Sequence, residues 1–100
     1  MFKHIVLFRL KEKARGLSLE ANVGELRDML EALPQKISDI RFLEVGVDVL
    51  KTGHSSHISL ITEFDDEAAF TRYVQHPDHQ KVLAFLQGVL EERRVVDYSV

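Results

Sequence analysis

Arg72-Tyr73-Val74-Gln75-His76-Pro77-Asp78-His79 puts a phenol, two imidazoles and a proline into eight consecutive residues. Proline disfavours the α conformation for the residue before it, so His76 should end one helix. Pro77 suits the first turn of a new helix, with Asp78 favourable beside it. The stretch therefore predicts two helical segments meeting at an angle rather than one long helix. The break frees Tyr73 and His79 from regular helical spacing and lets both converge on a common point.

Downstream of the break, Val82, Leu83, Leu86, Val89 and Leu90 recur at helical spacing. Phe85 falls off that stripe and is a candidate interface residue. Residues 93–100 then alternate, with Val96, Tyr98 and Val100 on one side of a closing strand and Val95, Asp97 and Ser99 on the other. Upstream, Asp65 or Asp66 is positioned to cap a short helix whose inward residues are Ala69, Phe70, Tyr73 and Val74. Before it lies a strand over 57–64, with Ile58, Leu60, Thr62 and Phe64 on one side. A polar turn over 51–56 joins it to a strand over 40–50, where Leu43, Val45, Val47 and Val49 alternate with Phe42, Glu44, Gly46 and Asp48. Gly46 marks a bulge or a close approach.

The N-terminal half completes the pattern. Residues 2–10 read as a strand with Phe2, His4, Val6, Phe8 and Leu10 on one side, and Ile5 and Leu7 between Lys3 and Arg9 on the other. Both sides carry apolar residues, so both need cover. A charged loop runs over 11–16. Ser18 is the N-cap of a helix through Leu33, with Leu19, Val23, Leu26, Leu30 and Leu33 as its stripe and Pro34 at its end.

The resulting order, β-α-β-β-α-β, is the ferredoxin-like split arrangement of an α+β domain spanning residues 1–100. It builds a four-stranded antiparallel sheet with helices on one face only. His4, Val6 and Phe8 are expected on the opposite face, where an apolar surface of that size needs a partner. A second copy packed sheet to sheet supplies it, so a homodimer is expected.

Composition narrows the function classes. A 100-residue chain is short for a large core, burying only about 60–65% of the surface its unfolded form exposes. Yet 45% of the residues are apolar, which fits a domain that hides a second face. The net charge of -3 comes from interspersed acids and bases, with no basic stripe for nucleic acid. No cysteine is present, which removes disulfides, thiolate metal sites and cysteine nucleophiles and suits a cytoplasmic setting. The opening apolar run is interrupted by Lys3, His4 and Arg9 and is too short to span a bilayer, so no membrane role is expected. Gly53-His54-Ser55-Ser56 lacks the second glycine of a serine-hydrolase elbow, and no phosphate loop or dinucleotide fingerprint occurs.

Three segments carry a family resemblance: Lys3 to Phe8, Glu63 to Glu67, and Tyr73 through the His76-Pro77-x-His79 element. Val95-Val96-Asp97-Tyr98 matches as a last strand. Together they resemble the stress-responsive A/B barrel proteins of the dimeric α+β barrel superfamily. The resemblance implies two protomers joining their sheets into a barrel with internal cavities. One plant member folds a linear polyketide by an aldol reaction without metal or cofactor. Its catalytic Tyr and His correspond to Tyr73 and His79, and its further pocket histidines to His4 and His57. The resemblance thus implies a pocket between sheet and helices, lined by these four residues and suited to a small, apolar, carbonyl-bearing compound.

The chemistry of these residue types fits that implication. Imidazole is a usable base near neutral pH, and a phenol donates a hydrogen bond to a developing enolate. Three other readings stand beside it. His76 or His79 could simply buttress the helix junction, and His4 could be a satisfied core histidine. His54-x-x-His57 and His76-x-x-His79 have metal-ligand spacing, although a turn and a proline interrupt them; no metal or other cofactor is expected. The remaining alternatives are a cofactor-independent monooxygenase, as found elsewhere in the superfamily, and a non-catalytic stress-response protein.

Overall fold

The computed structural model describes all residues, Met1–Val100. Its central strand is β1 (Phe2–Leu10), followed by a two-rung hairpin, β2 (Lys13–Ala14) and β3 (Leu17–Ser18). Then come α1 (Leu19–Glu31), a single-turn α2 (Leu33–Lys36), β4 (Phe42–Val47) and β5 (Ile58–Phe64). The chain closes with α3 (Glu67–Gln75), α4 (Pro77–Val89) and β6 (Leu90–Ser99). The four long strands form one antiparallel sheet in the order β4-β5-β1-β6, with the helices on one face. This is the ferredoxin-like α+β architecture expected from the sequence. No helix is long and apolar enough to cross a membrane.

Local signals set the helix boundaries. The Ser18 hydroxyl accepts the Ala21 N–H at 3.2 Å, and the Asp66 carboxylate accepts the Ala69 N–H at 2.8 Å, each satisfying an otherwise orphaned donor of a first turn. Pro34 does not end the first helical region. It sits in the first turn of α2, where its missing N–H costs nothing. The charged segment after β1 turns back on itself through Arg15 and Gly16, both at positive φ. Buried Asn22 ties it down by donating to the Ala14 carbonyl at 3.0 Å. Arg15 lies 4.9 Å above the Phe85 ring, so Phe85 is packed within the protomer rather than offered as an interface residue. Gly46 opposes Ser59 without a bulge, and a Cβ there would come within 2.8 Å of the Ser59 hydroxyl.

The sheet faces are assigned opposite to expectation. Phe2, Val6, Phe8 and Leu10 point toward the helices and are buried in the core, and His4 shares their side. Register explains the assignment. Phe2 pairs with Phe64, Val6 with Leu60 and Phe8 with Ile58, so the bulkiest residues of both central strands share one face. The open face instead carries Ile5, Leu7, Ile61, Phe42, Val96 and Tyr98, placed side by side by the pairs Ile5↔Ile61, Ile5↔Val96 and Phe42↔Glu63. Leu7, Phe42 and Val96 are 42%, 44% and 53% exposed, an apolar sheet surface without cover in the protomer.

Candidate active site

The helix break is built as the sequence predicts. His76 has extended backbone angles (φ −65°, ψ 138°), closes α3 through its N–H to the Tyr73 carbonyl, and caps α4 by accepting the Asp78 N–H on Nδ1 at 3.1 Å. His76 is therefore a capping residue. On one continuous helix Tyr73 and His79 would project about 120° apart, on different faces. The break instead brings their rings to 4.4 Å between centroids.

His79 is fixed by a carbonyl that α3 leaves unpaired at its C-terminal end. Its Nδ1 lies 3.1 Å from the Val74 oxygen, which also accepts from the Gln80 amide at 2.8 Å. A carbonyl only accepts, so Nδ1 carries the proton and Nε2 keeps a free lone pair. Burial lowers the His79 pKa, and the charges of His4 and Arg93 lower it further against the bond to Val74. The environment thus favours the neutral imidazole.

Tyr73 is buried against Phe64 and Phe70, at centroid distances of 5.0 and 6.1 Å. Its hydroxyl has no hydrogen-bond partner in the protein. Burial pushes the phenol well above its ordinary pKa, so it remains a proton donor throughout the neutral range. Buried donors without partners are rare in folded proteins, which marks this hydroxyl as aimed at something else.

His4 completes the group from the sheet side, 4.8 Å from the Phe70 ring and 6.4 Å from that of Tyr73. Its Nδ1 donates to the Asp97 carboxylate, its cross-strand partner on β6. Asp97 fixes the ring orientation as a carboxylate does for a catalytic or metal-bound imidazole. His4, Tyr73 and His79 border one cavity of about 310 Å³, otherwise walled mainly by apolar residues such as Phe8, Leu60, Val82 and Leu86, with Arg93 also on its lining. That size and composition suit a small, mostly apolar ligand oriented by a few polar groups.

His57 does not join them. It precedes β5 at the far end of the sheet, and its Nδ1 accepts the Leu10 N–H at 2.9 Å. Its neighbours line a separate recess of about 360 Å³, with Arg9, Arg27 and Lys51, between α1 and the β4–β5 connection. The expectation that all four residues share one pocket holds for three. The spaced histidine pairs are also taken apart: His54 sits in the exposed turn, and the inner nitrogens of His57, His76 and His79 face backbone atoms. No cluster of three or more His, Asp or Glu is gathered for a metal.

Residues 2–100 match the family model of the Stress responsive A/B Barrel Domain. The chain belongs to that family. Among solved structures, this A/B barrel chain superposes on a dimeric protein of ferredoxin-like fold from Bacteroides fragilis with a TM-score of 0.84 and 35% identity, covering 99% of this chain and 95% of that one. A dimeric ferredoxin-like protein from Thermobifida fusca gives a TM-score of 0.82 at 25% identity, with 99% and 90% covered. A hydroxynitrile lyase from Passiflora edulis shares the fold at 17% identity, with a TM-score of 0.79 and 99% and 92% covered.

Proposed function

We propose that this A/B barrel protein is a homodimer that binds a small, largely apolar, carbonyl-bearing compound in the His4–Tyr73–His79 cavity. There it performs cofactor-free proton transfer of the cyclase, lyase or isomerase type. The observation that carries the reading is the buried, unpartnered Tyr73 hydroxyl beside a neutral imidazole. His79 Nε2 takes a proton from carbon adjacent to the ligand carbonyl; the electron pair of that C–H bond forms the C=C bond of an enolate as the C=O π pair moves onto oxygen. Tyr73 donates its hydrogen bond to the resulting enolate oxygen, where negative charge is greatest. His4, held by Asp97, orients the ligand from the sheet side. In a cyclase, the enolate carbon then attacks a second carbonyl of the same molecule, and the proton on His79 passes to the new alkoxide.

Dimerisation through the open sheet face is supported by its exposed Leu7, Phe42 and Val96 and by the dimeric relatives. The test of function is a binding screen of aromatic and polyketide-like carbonyl compounds, followed by turnover assays on each hit. His79→Ala should lower turnover about 10²–10⁴-fold with a much smaller change in affinity. Equal turnover by a folded His79→Ala dimer would refute the catalytic role.

A further inference from the structure

Arg93 is the one permanently charged side chain on the cavity lining, and the protomer gives it no counter-ion. Its register partner is Phe8, so it stands on the helix-facing side of the sheet, where β6 runs past the cavity. Each carboxylate of the same strand is engaged elsewhere. Glu91 pairs with Arg9 at 3.1 Å, Glu92 with Arg94 at 3.4 Å, and Asp97 with His4. Arg93 remains exposed at the edge of the sheet, so its charge is solvated in the empty protein and costs little there. Its charge nevertheless reaches inward far enough to act on His79.

Building on the cavity reading above, we infer that the natural ligand is an anion: an apolar oxo-carboxylate whose carboxylate pairs with Arg93 at the mouth while its carbonyl end enters toward Tyr73 and His79. A guanidinium presents parallel N–H donors that match a carboxylate, so the pair fixes direction as well as affinity. An apolar cavity by itself would accept a ligand in either sense. With the anion held at β6, the carbonyl is delivered to the unpartnered phenol, and the reverse orientation would bury the carboxylate beside neutral His79, away from the guanidinium.

The probes are 4-oxo-4-phenylbutanoate and its methyl ester, which share an aryl ketone and differ in the charge of the far end. Binding of both is measured by calorimetry to the wild-type protein and to Arg93→Gln, at low and high salt. The acid should bind wild type about 2–5-fold more tightly than the ester, as a charged pair at an exposed site warrants. Arg93→Gln should remove that preference by weakening the acid alone, and added salt should erode it in wild type only. Equal binding of acid and ester by wild type would overturn the inference while leaving the cavity reading intact. The same follows if the preference persists in Arg93→Gln. Failure of both probes to bind would overturn the two together. The wild-type comparison stands even if the variant does not fold.

Discussion

Tyr73→Phe should make this protein more stable and less active, and the two signs together test the site. The substitution removes one oxygen and keeps the ring packed on Phe64 and His79. In most proteins a buried Tyr hydroxyl is paired, and its loss is destabilising. Here it has no protein partner, and a buried polar group left unsatisfied costs about 1–3 kcal/mol. Taking the lower end, because the hydroxyl borders a cavity large enough for water, removal should stabilise the fold by about 1 kcal/mol. For a domain of this length that is an increase in Tm of about 4–8 °C. Thermal denaturation of wild type and variant at equal protein concentration measures it, since dimerisation makes Tm depend on concentration. The variant should also lose about 10²–10⁴-fold in turnover of any substrate that wild type converts. A fall in Tm would refute the reasoning, because it would mean the hydroxyl is an ordinary structural donor.

Two further outcomes follow from the same geometry. The folded state holds His79 below its ordinary pKa, so the unfolded chain binds a proton first as pH falls through about 6.5, and stability should drop there. His79→Gln should flatten that drop when Tm is compared at pH 7.5 and 5.5, although His4 and Arg93 still border the site; an unchanged pH slope would contradict it. On the open face, Val96→Lys should convert the dimer to monomer in sedimentation at micromolar concentration, by placing a charge among Ile5, Leu7 and Tyr98. A dimer of unchanged affinity would place the interface elsewhere.

The element order was legible because each segment carries its own period, and because Ser18, Asp66 and Pro77 mark helix starts in purely local terms. The convergence of Tyr73 and His79 was legible for the same reason: the proline acts on its immediate neighbour. Which face of β1 meets the helices was not. Both faces are apolar, and the choice depends on Phe64, Leu60 and Ile58, fifty or more residues away in sequence and brought opposite only by the fold. Asp97 and Arg93 are not legible as cavity residues because their place depends on the pairing of the first strand with the last. The signal that could have found Asp97 is that pairing itself. In a split β-α-β-β-α-β sheet these strands are antiparallel neighbours, so a histidine four residues from one end belongs opposite residues near the other end. His57 was placed by resemblance, and the structure seats it beyond the start of β5, occupied by the Leu10 amide.

In the proposed function His79 removes a proton from carbon next to a carbonyl held in this cavity. The most direct measurement is exchange of the protons adjacent to the ketone of 4-oxo-4-phenylbutanoate in deuterated water, followed by NMR, with wild type and His79→Ala. Wild type should accelerate the exchange, and the variant should lose about 10²–10⁴-fold of that acceleration. Exchange at the wild-type rate by a folded, dimeric His79→Ala protein that still binds the probe would contradict it.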